Sequence, residues 1–93
     1  MVVGVLTWQL HLPHSQSLKD KRHVLRSLKD RLRHRFNVSA AETGHHDLWQ
    51  RAELTVAVVS TERAHAERVL QEVDRLVVGV PGAQVLDAVE SWL

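Results

Sequence analysis

From residue 2 to residue 12 the chain alternates, with Gly4, Leu6, Trp8, Leu10 and Leu12 on one side and Val3, Val5, Thr7, Gln9 and His11 on the other. A period of two is that of a β-strand with one face buried and the other mixed. Pro13 ends it, since proline has no N–H to give a ladder. The period then changes. Ser17 reads as a helix N-cap, with Asp20 at the third helical position as a short-armed capping box. At roughly 100° per residue, a helix from about Leu18 to Arg35 puts Leu18, Leu25, Leu28 and Leu32 on one stripe, with Val24 at its border. Lys19, Arg22, Arg26, Lys29 and Arg33 fall on an adjacent stripe, and His23, Asp30 and His34 on the next. Lys21 is the exception, because it projects beside the leucines.

Period two returns at Phe36 to Ala41, so a second strand is expected there, followed by a hairpin loop over Glu42 to Gln50 that contains Gly44 and the run His45-His46-Asp47. A third strand is expected at about Arg51 to Ser60, with Leu54, Val56 and Val58 inward and Thr55, Ala57 and Val59 outward. Ser60 or Thr61 is placed to cap a second helix that runs to about Val78 on a stripe of Ala66, Val69, Leu70, Val73, Leu76 and Val77. Gly79 to Gly82 makes a turn, and residues 83–92 form a fourth strand.

The order β-α-β-β-α-β, with right-handed crossovers, gives an α+β ferredoxin-like sandwich: a four-stranded antiparallel sheet with both helices on one face. The 93 residues make a single domain. The other sheet face would present Val3, Val5, Thr7, Gln9, Thr55, Ala57 and Val59. That face is apolar for a surface meeting water, and a second copy of the chain is the simplest cover. Val3, Val5, Thr7, Thr55, Ala57 and Val59, with Trp49 in the hairpin, are therefore the candidate interface residues.

Charge changes this picture more than composition does. Residues 19–35 hold eight Lys or Arg against two acids, a net of +6, while the rest of the chain has four basic and nine acidic residues, a net of −5. A near-neutral total hides a polarised molecule. Lys19, Arg22, Arg26, Lys29 and Arg33 form a linear array about four turns long, suited to neutralising the phosphates of RNA. The competing reading is a solvated face paired with Asp20 and Asp30. Base stacking on the sheet, as an RRM does it, is not expected, because the outward positions of the first and third strands carry no aromatic ring.

Lys21, beside the leucines, needs a carboxylate, and Glu42 is the candidate partner. The alternative is an anion or small-molecule pocket around Lys21 and Ser17 at the helix N-terminus. The chain has no cysteine, which excludes disulfides and thiolate chemistry. Seven histidines raise a metal reading, but neither His45-His46-Asp47 nor the pair His11 and His14 has the ligand spacing of a structural zinc site, so no metal or other cofactor is expected. Asn37 and Ser39 are expected to share a strand face, either as polar contact points on the open sheet face or as hydrogen-bonding groups across strands or in a dimer. Trp8 is expected in the core, Trp49 against the sheet as a seal for the hairpin, and Trp92 at the close of the chain. No nucleophile, base and orienting residue fall together, so no enzymatic activity is expected. The start of the chain resembles neither a signal peptide nor a membrane span, so a cytoplasmic location is expected and no membrane partner.

Three blocks, SLKDKR at 17–22, FNVSAAE at 36–42 and DLWQRAEL at 47–54, resemble in order the YlxP-like family of small bacterial proteins. The resemblance covers essentially the whole chain and implies a ferredoxin-like fold. Members of that family are often encoded near transcription-elongation and ribosome-maturation genes, which implies a role around RNA or the ribosome. The family has no agreed catalytic residues, so none is carried over. The resulting expectation is a non-enzymatic cytoplasmic protein that binds RNA or a ribosomal particle through its first helix. A homodimer built on the open sheet face, and a small-molecule or anion-binding domain, are the alternatives.

Overall fold

A computed structural model describes all 93 residues. The elements are β1 (Val2–His11), α1 (Leu18–Arg35), β2 (Ser39–Gly44), β3 (Arg51–Ser60), α2 (Arg63–Val78) and β4 (Gln84–Trp92). The strands form one sheet in the order β2-β3-β1-β4, with every neighbouring pair antiparallel. This is the ferredoxin-like sandwich. Residues Leu6, Trp8 and Leu10 of β1 and Ala52, Leu54, Val56 and Val58 of β3 share one core with the leucine stripe of α1 and the Ala66–Val77 stripe of α2. Both helices therefore lie on the same sheet face, α1 beside β2 and α2 over β1 and β3.

The β1–β3 ladder runs without a break from Val2 opposite Ser60 to His11 opposite Arg51. That register sets Val3 against Val59, Val5 against Ala57 and Thr7 against Thr55 on the uncovered face. Thr55 Oγ1 lies 3.0 Å from Thr7 Oγ1 and 2.8 Å from Thr43 Oγ1, so three hydroxyls satisfy one another across three strands. Trp8 is fully buried and donates its indole N–H to Asp74 Oδ1 at 2.8 Å, which removes the cost of burying that polar atom.

Four expectations need correction. β2 runs from Ser39 to Gly44, later than Phe36 to Ala41. Phe36 and Val38 are half-buried against the core in an irregular lead-in, and Asn37 lies outside the strand, so it shares no strand face with Ser39. Glu42, assigned to the loop, is in the strand, because pairing it with Leu54 brings its carboxylate to Lys21. α2 starts at Arg63 with Glu62 as N-cap and no side-chain cap; Ser60 Oγ, three residues before the helix begins, instead accepts the Glu62 N–H at 3.1 Å. β4 carries a bulge opposite Gln9 and Leu10, and Leu86 at the bulge is exposed.

Gly4 faces the core where β1 crosses Trp92 and α2. A Cβ there would stand 2.8 Å from the Trp92 ring and 2.9 Å from Leu70 Cδ1, and neither a ring nor a buried leucine yields easily. Gly4→Ala is expected to lower stability by about 1–3 kcal/mol through overpacking. Urea unfolding of the two proteins reads this directly, and an unchanged midpoint would contradict the packing described.

Candidate nucleic-acid interface

α1 begins with a complete cap. Ser17 is extended and its Oγ accepts the Asp20 N–H at 3.1 Å, while Asp20 Oδ2 accepts the Gln16 N–H at 3.0 Å. The cap occupies the one acid in the first turn of the helix. Of the basic side chains that follow, Lys19, Arg22 and Arg26 are exposed and Lys29 is half-buried. Only two ion pairs form in the molecule, Lys21–Glu42 and Arg63–Glu67. Lys19, Arg22, Arg26 and Lys29 thus have no carboxylate partner, and Asp30 pairs with none of them. Lys19, Arg22 and Arg26 wall an open depression of about 560 Å³ along the helix, shared with Asp20, His23 and Val24.

Arg33, grouped with this stripe by spacing, has a different use. Its guanidinium donates to the Ala40 carbonyl and ties the end of α1 to β2. Arg35 stands over the Phe36 ring, 5.5 Å from its centre. The free array therefore comprises Lys19, Arg22, Arg26 and Lys29.

Lys21 is 1% exposed. Its ammonium lies 2.7 Å from Glu42 Oε2 and donates to the His45 carbonyl at 2.6 Å. The anion pocket considered at Lys21 and Ser17 is not formed, because the ammonium is enclosed by these two acceptors and the Ser17 hydroxyl is used by the cap. His45 is the one non-glycine residue with positive φ, at 58°, a conformation that favours glycine. Its carbonyl also accepts the Leu48 N–H at 3.0 Å, closing the turn. Its ring Nε2 lies 3.1 Å from Gln9 Oε1, whereas His46 Nε2 lies 3.2 Å from the Glu42 carbonyl oxygen, so the two imidazoles engage different partners.

The β2–β3 loop is stitched to the β1–α1 loop as well. The Leu12 N–H donates to the Gln50 carbonyl at 2.9 Å, and the Gln50 amide donates to the carbonyls of Pro13 and Ser15 at 3.3 and 3.1 Å. Trp49, expected to seal the hairpin against the sheet, is instead 53% exposed. The backbone is held by Gln50 on one side and the His45 turn on the other, and that leaves the indole outside. On the opposite face of the sheet Val3, Val5, Thr7, Thr55 and Ala57 are half-buried and Val59 is exposed, with no helix over them.

The chain matches, over residues 3–89, the family model described as Protein of unknown function (DUF503). It belongs to the DUF503 family. A relative from Bacillus subtilis (strain 168), the uncharacterized protein YlxP, is 42% identical over 72 residues, which span 77% of this chain and 78% of the relative. Among solved structures, the de novo designed protein Foldit4 superposes with a TM-score of 0.56 at 13% identity, covering 98% of this chain and 97% of its own. A designed protein with ferredoxin fold, LFR1 1, gives 0.53 at 12% identity over the whole of this chain and 83% of its own. A C-terminal segment of the alpha subunit of aIF2 from Pyrococcus abyssi gives 0.50 at 14% identity, with 49% of that chain covered. At these identities the likenesses show the fold alone.

Two parts of this end of the DUF503 chain escaped the sequence reading: the Gln50 clamp and the His45 carbonyl. The second has no side-chain signal, because a backbone acceptor is anonymous in sequence. Gln50 next to Trp49 offered a polar amide at a loop end and nothing more.

Removing one member of the buried pair leaves the other without its counter-charge. Glu42→Gln is expected to lower stability by about 3 kcal/mol, and Lys21→Met in the same background to recover much of it. A double-mutant cycle in urea measures the coupling, and additive effects would contradict the pairing described.

Proposed function

We propose that this protein is a non-enzymatic binding domain that holds RNA, free or within a ribonucleoprotein, by its phosphates along α1. One observation carries the reading: Lys19, Arg22, Arg26 and Lys29 lie along one side of a capped, well-packed helix, and none is paired with a carboxylate. A face balanced by its own acids would do no more than keep the protein soluble. Here Asp20 is spent on the cap, Asp30 pairs with no base, and the other nine acids lie outside residues 19–35. Ser17, Lys21 and Glu42 are occupied by capping and pairing, so charge is the chemistry that α1 offers a partner. The array spans about 15 Å at 1.5 Å of rise per residue, enough to meet several phosphates of one strand or two strands across a groove. The genomic setting implied by the family resemblance favours RNA among polyanions.

Labelled total RNA titrated across a salt series tests this. Four phosphate contacts predict that log affinity falls against log salt with a slope of about −3. The triple variant Lys19→Glu, Arg22→Glu, Arg26→Glu is expected to lose at least tenfold in affinity and most of that slope. Equal affinity for wild type and variant would end the reading.

A second reading concerns self-association. Val59 and Val89 are 63% and 58% exposed, and they lie on the uncovered face with Val3, Val5 and Ala57. Two copies stacked on this face would bury those valines against each other. The expected result is a dimer in sedimentation equilibrium that persists at high salt and that Val5→Lys dissociates. A wild-type monomer at high concentration contradicts it.

A further inference from the structure

We infer that the nucleic acid held by α1 is single-stranded, and that Trp49 stacks on one of its bases. The inference rests on the phosphate-binding reading and adds a class of ligand and a residue to it.

The chain has four aromatic rings besides its histidines, and three are accounted for. Trp8 is buried and hydrogen-bonded. Trp92 is half-buried, with the Arg63 guanidinium 4.0 Å from the centre of its ring. Phe36 is half-buried beside Arg35. Trp49 alone is more than half exposed, and nothing folds over it. With Leu48 beside it, Trp49 forms an exposed apolar patch of the kind that meets a partner. Its backbone is not loose. Gln50 is bonded to Leu12, Pro13 and Ser15, and the turn before it is closed by Leu48 onto His45, whose carbonyl is held by Lys21 of α1. The loop that carries the ring is therefore held at the end of the molecule where α1 begins.

The surroundings of the ring offer a base apolar wall and polar groups together. Asp47, Leu48, Trp49, Gln50 and Arg51 line an open depression of about 370 Å³. The Asp47 carboxylate repels a phosphate there, yet it accepts hydrogen bonds from the amino and imino groups of a base edge. Leu48, 49% exposed, adds apolar wall. Phosphates on the helix and a base on the indole describe a strand with an unstacked nucleotide. A duplex keeps its bases inside and offers the indole no free π-face.

The test is fluorescence anisotropy with a labelled short oligouridylate and a labelled RNA duplex of matched length, at low salt. Wild type is expected to bind the single strand more tightly than the duplex. Trp49→Ala is expected to weaken single-strand binding by roughly 5- to 150-fold, the equivalent of stacking one base, and to leave duplex binding within twofold. Trp49→Phe, which keeps a ring, is expected to retain most of the affinity. Because Trp49 is exposed, these variants should fold as wild type does, which circular dichroism verifies. Equal single-strand affinity for wild type and Trp49→Ala, with binding still abolished by charge reversal on α1, overturns the stacking role and leaves the basic helix standing. Absence of wild-type binding to either RNA overturns both.

Discussion

The Lys21 ammonium holds together the end of the molecule on which the functional reading depends. It lies inside the protein against a carboxylate of β2 and a carbonyl of the β2–β3 turn, so one side chain of α1 fixes two features of the neighbouring hairpin. A buried charge is tolerated only when its partners are well placed, and removing one partner leaves the other uncompensated. Here the arrangement is specific. The carbonyl belongs to His45, whose backbone is in the left-handed region, so the turn adopts an unfavourable conformation and is held there by contacts with α1 and Gln9. Slide the helix relative to the hairpin, and the ammonium loses both acceptors at once.

The rest of the molecule divides its labour around that joint. The long β1–β3 ladder and the leucine face of α1 supply cohesion, and they leave the outer side of the helix free of structural duty. Where a basic residue is needed for the fold, it is withdrawn from the free array: Lys21 into the pair, Arg33 onto the Ala40 carbonyl, Arg35 beside Phe36. The residues left over are those without counter-charges. The hairpin shows the same separation, since Gln50 and Leu48 anchor the loop through backbone bonds and Trp49 is left facing water.

Much of this was legible in the sequence. The two periods, with Pro13 and the Gly79–Gly82 turn as punctuation, located the elements because burial of one face dictates each pattern. Lys21 announced itself by standing among leucines, and Glu42 was the acid within reach. β2 was misplaced for a physical reason: Phe36 and Val38 alternate as a strand would, but they pack as a lead-in, while the true strand, SAAETG, has little hydrophobic pattern because it lies at the sheet edge. Arg33 could not be separated from the basic stripe, since the acceptor it meets is a backbone carbonyl seven residues on. Trp49 was expected to pack because tryptophans usually do; its exposure is set by tertiary clamps on either side of it that no local pattern records.

The central claim is that the free face of α1, with the Trp49 loop beside its start, is where a single strand of RNA is held. Chemical-shift mapping tests it in one titration, since a chain of 10.6 kDa gives a resolved amide spectrum. Adding unlabelled oligouridylate to the ¹⁵N-labelled protein is predicted to shift the backbone amides of residues 19–29 and the Trp49 indole N–H, with Trp8 and Trp92 indoles unmoved. Shifts confined to Val3, Val5, Thr55, Ala57 and Val59, with α1 silent, would contradict the account and place the binding surface on the open face of the sheet.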